Sequence, residues 1–172
     1  MKGKRTWTAV TAVALLCASC GYNLVGRGGQ FPAGVEKVTV PIFANETKNP
    51  EIARRLTNSF ISELLATGQV MVVDPDEAQA VIKGTVTRFA VVPISFDTDR
   101  KTTENRMEVF TDVSLILTGE TEPLFKQKGV SRYFEYPVPE DLALQQKEED
   151  IAYRDISREL SQTIISIMTE GF

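Results

Sequence analysis

Residues 106–136 carry the pattern that most restricts the fold. Met107, Val109, Val113, Leu115 and Leu117 recur at alternate positions, with Thr111 among them. Arg106, Glu108, Asp112 and Ser114 take the positions between. A period of two marks a strand with one buried face. Gly119 to Pro123 forms a turn, and residues 124–136 return as a second strand. The segment is therefore a long antiparallel hairpin, with a loop in the usual length range. Its aliphatic face has to be covered by another part of the chain.

Two helical stripes are available to cover it. Ile52, Leu56, Phe60 and Leu64 recur every four residues, and Ala53, Ile61 and Leu65 widen the stripe. Asn49 is placed to cap this helix, Pro50 suits its first turn, and Glu51 favours the positive end of its dipole. Gly68 stops it. The span 50–67 would be about 27 Å long, enough to lie across a sheet. A second helix opens with Glu148, Glu149 and Asp150 in its early turns. It carries Ala152, Ile156, Leu160, Ile164, Ile167 and Met168 on one side.

The remaining strands are shorter or less regular. In residues 35–43, Val38, Val40 and Ile42 alternate, and Pro41 within the run predicts an edge strand or a bulge. Residues 70–73 form a short strand ended by Asp74-Pro75. In residues 78–92, Ile82, Gly84 and Val86 face one way, and Lys83, Thr85 and Thr87 the other. The pattern slips at Arg88-Phe89, which predicts a bulge. Pro93 closes the regular part, and residues 96–105 read as a polar loop. The expected fold is α+β: a two-layer sandwich of a mostly antiparallel four- to five-stranded sheet with two helices on one face.

The other face of the sheet is then left for something else. Pairing the hairpin from the ends of its loop puts Lys126, Lys128, Val130, Arg132 and Phe134 beside Phe110, Asp112, Ser114 and Ile116. Bases mixed with Phe110, Ile116, Val130 and Phe134 fit two readings. One is a partner-contact face. The other is an ordinary surface with scattered apolar residues.

The start of the chain addresses location. Lys2, Lys4 and Arg5 precede an uncharged apolar run, which ends in Ala18-Ser19-Cys20-Gly21. The run is too short to span a bilayer and reads as a secretory signal. Small residues before Cys20 look like a bacterial lipobox, although Cys17 stands where a larger aliphatic residue is usual. Cys17 and Cys20 also form a C-x-x-C pair, but it sits at the end of a signal with no folded context for redox or metal chemistry. The domain expectation is a signal peptide at 1–19, a lipidated Cys20 with a glycine-rich tether at 20–34, and one domain at 35–172. Position +2 is Tyr22. In enteric bacteria Asp there favours inner-membrane retention, so by that analogy this chain goes to the outer membrane.

Composition narrows the function classes. Removing residues 1–19 takes away three basic and no acidic residues, so the net charge of −4 becomes −7. That argues against nucleic acid, which calls for a basic footprint. The chain contains no histidine, the commonest general base and metal ligand. Both cysteines lie at or before position 20, so no nucleophilic thiol is left in the domain. Gly26-x-Gly28 has Phe31 where a dinucleotide loop needs its third glycine. Asp97-x-Asp99 begins like a calcium loop, with Glu108 at position twelve, but Lys101 and Thr102 replace a ligand and the turn glycine. An enzyme is not expected, and neither is a metal or a cofactor. The only added group expected is a diacylglyceryl and N-acyl lipid on Cys20.

Several stretches together resemble one family. Cys20-Gly21-Tyr22-Asn23-Leu24-Val25-Gly26 opens the mature chain. Val38-x-Val40-Pro41-x-Phe43-x-Asn45 follows, and then the capped helix with Leu56-Thr57. Ala80-Val81-Ile82-x-Gly84-x-Val86 stands near an Ala-Asp-aliphatic-aliphatic-x-Gly pattern, with Gln79 and Ala80 in place of Ala-Asp. This is similar to the LPS-assembly lipoprotein family, LptE, from Cys20 to the C-terminal helix. The resemblance implies a non-catalytic lipoprotein of the outer membrane's periplasmic leaflet. It would plug the LptD β-barrel, assist its assembly, and bind lipopolysaccharide during delivery to the cell surface.

Lipopolysaccharide is anionic and the mature domain is net negative, so binding would need a local basic cluster. The candidates are Arg100, Lys101, Arg106, Lys126, Lys128 and Arg132. A structural lipoprotein of another secretion or efflux complex is the alternative, and an envelope hydrolase using a lone Ser or Lys is a third reading. Stable anchoring takes more than one acyl chain. Mass spectrometry of the mature protein should therefore show residue 20 as its N-terminus, carrying two or three chains. An unmodified N-terminus would remove the membrane placement.

Overall fold

The computed structural model describes residues 31–170. Along the described chain run β1 (Lys37–Thr39), β2 (Ala44–Asn45), α1 (Ile52–Ala66), β3 (Met71–Val72), β4 (Ala80–Phe96), β5 (Thr102–Leu117), β6 (Phe125–Pro137) and α2 (Leu142–Glu170). The strands form one sheet in the order β3-β1-β4-β5-β6, with β2 also on β4. Both helices pack on one face, giving the α+β two-layer arrangement the alternation predicts. Among the described residues no helix is long and apolar enough to cross a membrane.

The sheet is mixed. Its long strands β4, β5 and β6 are antiparallel. The short pairs β1–β3, β1–β4 and β2–β4 are parallel. The reason is topological: α1 carries the chain back between β1 and β3, and a helical crossover returns a strand in the same direction. Pro41 splits the first predicted strand in two. Thr39 pairs with Val81 and Ala44 with Thr85. The segment around Pro41 thus holds one residue more than the β4 segment it faces, which is a bulge where proline has no N–H to offer.

That bulge is tied to the helix layer. The Phe43 N–H donates to Thr57 Oγ1 at 3.0 Å, and the same hydroxyl donates to the Ala53 carbonyl at 2.7 Å. The Phe43 ring lies 5.5 Å from that of Phe60. Asn49 caps α1 as read: its Oδ1 accepts the N–H groups of Glu51 and Ile52 at 3.0 and 3.1 Å. Gly68 follows the helix with φ +65, a conformation that costs L-residues with a Cβ.

Two boundaries move from the sequence expectation. The polar loop expected over 96–105 is only the turn 97–101. Pro93 stays in the ladder opposite Asn105, and Phe96 pairs with Thr102. Asp97 holds the turn by accepting the N–H groups of Asp99 and Lys101 on Oδ1, at 2.9 and 2.8 Å. The residues that imitate the start of a calcium loop are therefore a hairpin turn. The second helix starts earlier than its apolar stripe, because Asp141 Oδ1 accepts the N–H groups of Ala143 and Leu144 at 2.8 and 3.0 Å. Asp is a strong N-cap, so the helix nucleates before its stripe begins.

The core lies between the layers. Ile82, Val86, Met107, Val109, Val113 and Leu115 from the sheet are buried. They meet Ile52, Leu56, Phe60 and Leu64 of α1, and Ile156, Leu160, Ile164 and Met168 of α2. Tyr153 joins the two helices to the sheet. Its ring stacks on Phe89 at 5.7 Å and 4°, and the Arg55 guanidinium lies 4.8 Å from its centroid. Asn49 Nδ2 donates to the phenol at 2.6 Å. Burial pushes the Tyr153 phenol up, and the Asn49 bond offsets this in part. Arg55 donates to Glu51 and to Asp150 of α2. Burial would lower its pKa, but those carboxylates outweigh it and hold it above the ordinary value.

Gly84 lies beneath this arrangement, and a Cβ there would collide with the Phe43 ring. Phe43 is 3% exposed and packed on Phe60, so it has little room to yield. Gly84→Ala should cost about 1–3 kcal/mol, the range for overpacking a filled core, read as a lower urea midpoint at unchanged slope.

Candidate functional site

Among the described residues, no layer covers the face of the sheet opposite the helices. Side chains reach it from β4, β5 and β6, and the register lines them up in rows. Arg88 pairs with Phe110, which pairs with Ser131. Val92 pairs with Arg106, which pairs with Glu135. Lys83 pairs with Ser114, which pairs with Lys126.

The upper rows form a ladder of guanidinium, carboxylate and ring. Arg88 Nη2 donates to Glu108 at 3.1 Å, and its guanidinium lies 3.9 Å from the Phe110 centroid. Arg106 donates through Nε and Nη2 to Glu135 at 3.0 and 2.7 Å, and lies 4.8 Å from the Tyr133 centroid. The hydrogen bonds to Glu135 raise the Arg106 pKa further above its ordinary value. Each guanidinium stacks on a ring and pairs with an acid at the same time. This holds long side chains flat on the sheet and leaves Tyr133 60% exposed.

The lowest row is different. Lys83 and Lys126 are exposed, and neither ammonium has a carboxylate within ion-pair distance among the described residues. Neighbouring strands are about 4.8 Å apart, so the two lysines flank Ser114 across about two strand spacings. That is a surface for an acceptor-rich, anionic group. Among the described residues no group of three His, Cys, Asp or Glu is placed to hold a metal ion.

The structure brings together only some of the residues proposed from sequence. Arg106, Lys126, Phe110 and Ile116 share the uncovered face. Arg100 and Lys101 sit on the 97–101 turn, where Lys101 pairs with Glu140 at 3.0 Å. Val130, Arg132 and Phe134 are on the opposite side from the one expected. Val130 pairs with Thr111, Arg132 with Val109 and Phe134 with Met107, all helix-facing positions. Val130 is 8% exposed, and Arg132 shares a surface groove with Glu159 and Gln162 of α2.

The cause is a bulge at Lys128-Gly129. Gly129 has φ +66, and its N–H donates to Asp112 Oδ1 at 2.8 Å. One extra residue in β6 reverses the facing of everything after it. Lys128 is exposed where the bulge begins. A lone glycine inside a strand pattern was the available signal for this. Lys83, Arg88 and Tyr133 belong to the face although they were not among the candidates. The alternation of Lys83 with Ile82 already pointed it there. Cys20, the proposed lipidation site, lies outside the described residues.

Comparison with known proteins agrees with the architecture. The family model described as LptE, lipopolysaccharide-assembly, matches residues 35–168. A solution structure of lipoprotein B from Nitrosomonas europaea superposes with a TM-score of 0.60 at 16% identity. It covers 88% of this chain and 92% of that one. A crystal structure of rare lipoprotein B from Shewanella oneidensis gives 0.50 at 17% identity, over 77% and 93%. At these identities the likeness is one of fold. No curated protein sequence matches the chain.

The bulge can be tested directly. A residue with a Cβ at φ +66 carries a left-handed penalty of about 1–2 kcal/mol. Gly129→Val should lower the unfolding free energy by about that amount in urea titration, and Gly129→Asn by less, since Asn visits this region.

Proposed function

The chain belongs to the LptE lipopolysaccharide-assembly family, and from that premise we propose that it is a lipid-anchored, non-catalytic component of the outer membrane. In this reading it docks into an LptD-like β-barrel, assists the barrel's assembly, and contacts lipopolysaccharide on its way to the cell surface. Cys20 would carry the acyl chains. The observation that carries the reading is the uncovered sheet face, where a broad ladder of aromatic rings and paired charges adjoins a row of unpaired lysines. Aromatic residues and Arg are enriched at the centres of protein interfaces. Paired guanidiniums can enter such an interface with their charges already balanced.

Lipopolysaccharide carries phosphates, and the body of the mature protein is net negative. Attraction is therefore confined to a local basic group. Of the six candidates from sequence, Arg106 is engaged with Glu135 and Lys101 with Glu140. Lys126 supports the reading best, with Lys83 as its partner across Ser114. Arg132 lies on the helix side.

Two measurements separate the parts of this reading. Affinity purification from detergent-solubilised outer membrane should recover a large β-barrel protein with the chain. Recovery of a different envelope complex would favour the alternative, a structural lipoprotein of a secretion or efflux assembly. Lys83→Glu with Lys126→Glu should weaken lipopolysaccharide binding about tenfold or more, with barrel recovery unchanged. Unaltered lipopolysaccharide affinity would discard the lysine row and leave the barrel association standing.

A further inference from the structure

The sheet ends on β6. Among the described residues this strand pairs only with β5, so its outer margin is open. One bond fixes the direction of its backbone groups. The Val138 N–H donates to the Thr103 carbonyl at 2.8 Å, which continues the register of Pro137 opposite Glu104. Residues of an antiparallel strand address their partner strand alternately. Tyr136, Phe134 and Arg132 therefore turn their N–H and C=O groups to β5, and Glu135, Tyr133 and Ser131 turn theirs outward. The Ser131 carbonyl accordingly accepts from Arg132 Nη1, at 2.9 Å.

A groove of about 660 Å³ runs along this margin. Ser131, Arg132, Tyr133, Phe134 and Glu135 line it, with Glu159 of α2. Consecutive residues of a strand point to opposite faces. A groove that touches all of them follows the backbone edge itself.

Exposed edges are usually blunted against further pairing. The lower part of β6 has Lys126, Lys128 and the bulge at Gly129. The sheet's other free margin is β4 beyond its pairing with β2. It holds Pro93, which the same alternation turns outward. From Ser131 to Glu135 only the Arg132 contact guards the backbone, and Tyr133 at the centre is 60% exposed.

We propose that this margin pairs with the same margin of a second copy of the chain, antiparallel about a dyad at Tyr133. Ser131, Tyr133 and Glu135 then exchange both backbone groups with Glu135, Tyr133 and Ser131 of the other copy. Arg132 releases the Ser131 carbonyl as they do so. In this register Ser131 faces Glu135, Tyr133 faces Tyr133, and Arg132 faces Phe134, so no like charges meet across the paired strands. A dyad at Arg132 would set two guanidiniums opposite each other. A dyad at Phe134 would bring Ser131 against Pro137, which has no N–H. Arg132 and Glu159 border one groove, and neither forms an ion pair among the described residues. Across the dyad each Arg132 comes within reach of the Glu159 of the other copy, so the two grooves are complementary in charge. The inference does not rest on the barrel and lipopolysaccharide reading. Edge pairing leaves both open sheet faces uncovered and sets them side by side.

The test uses the full chain in detergent, with the parent chain as the control for Cys17 and Cys20. Tyr133→Cys should form a disulfide-linked dimer under mild oxidation, since residues paired at the dyad have Cα atoms about 5.5 Å apart, within the disulfide range. Ser131→Cys alone and Glu135→Cys alone should not, because each lies about 13 Å along the strand from its own copy. A mixture of those two variants should cross-link. In sedimentation equilibrium, Tyr133→Pro should raise the dimer dissociation constant at least tenfold. Its thermal midpoint at monomer concentrations should stay near the parent's, since that N–H serves no bond within the chain. Arg132→Glu should weaken the dimer, and adding Glu159→Arg should restore it. Cross-linking of all three single variants alike, no dimer with Tyr133→Cys, or an unchanged dissociation constant in Tyr133→Pro would each overturn the proposal. Cross-linking of Tyr133→Cys in outer-membrane extract to a different protein, and not to itself, would overturn the second copy as the occupant.

Discussion

The antiparallel ladder from β4 through β5 to β6 is the constraint on which the structure rests. A strand presents alternate residues to opposite faces, so every insertion in the ladder reassigns all that follows. Besides the register shifts that follow Pro93, two such insertions decide the faces of the long strands. Thr87 is the extra residue between Val86, opposite Thr111, and Arg88, opposite Phe110. Gly129 plays the same part in β6. The first places Phe89 under Tyr153 and sends Arg88 to the open face. The second buries Val130 and brings Phe134 against the core. Without them, apolar side chains would face water and charged ones the helices.

The two faces then separate two kinds of chemistry. On the covered face, burial of aliphatic side chains drives association of the helices with the sheet. Among the polar groups buried there, Thr57 is tied down by Phe43 and Ala53. On the uncovered face, Arg88 and Arg106 lie flat on rings and beside acids. Such pairs at an exposed surface contribute little to stability. Their effect is to hold a broad surface in one conformation before any partner arrives, which lowers the ordering cost of binding. The lysine row below lacks such pairing and keeps its charge available.

Much of this was legible in residue order, because periodicity is a local property. The alternation of residues 106–118 gave β5 its buried face. The four-residue spacing of Ile52, Leu56, Phe60 and Leu64 gave α1, and Asn49 and Gly68 gave its ends. The slip at Arg88 announced the first bulge. The misread places share a cause. Pro93 looked like a terminator, yet an outer position and register shifts kept it in the ladder. Asp141 gives little cap signal in the sequence, because the apolar stripe starts eleven residues later, at Ala152. Gly129 hid the second bulge, and so the face of Val130, Arg132 and Phe134 was assigned wrongly. The row Lys83, Ser114, Lys126 could not be read at all, since it spans residues far apart in the chain.

Sequence by itself determined the elements, the identity of the aliphatic stripes, the family, and the absence of histidine from any chemistry this protein performs. These follow from short-range rules: rotation per residue along a helix or strand, capping groups, and the side-chain inventory. Tertiary structure alone decided which strands run parallel, which side chains share the uncovered face, and which backbone groups of β6 are turned to the open margin. Those outcomes depend on register, and register is chosen by burying the most apolar surface across the whole sheet at once. No local window of residues contains that information.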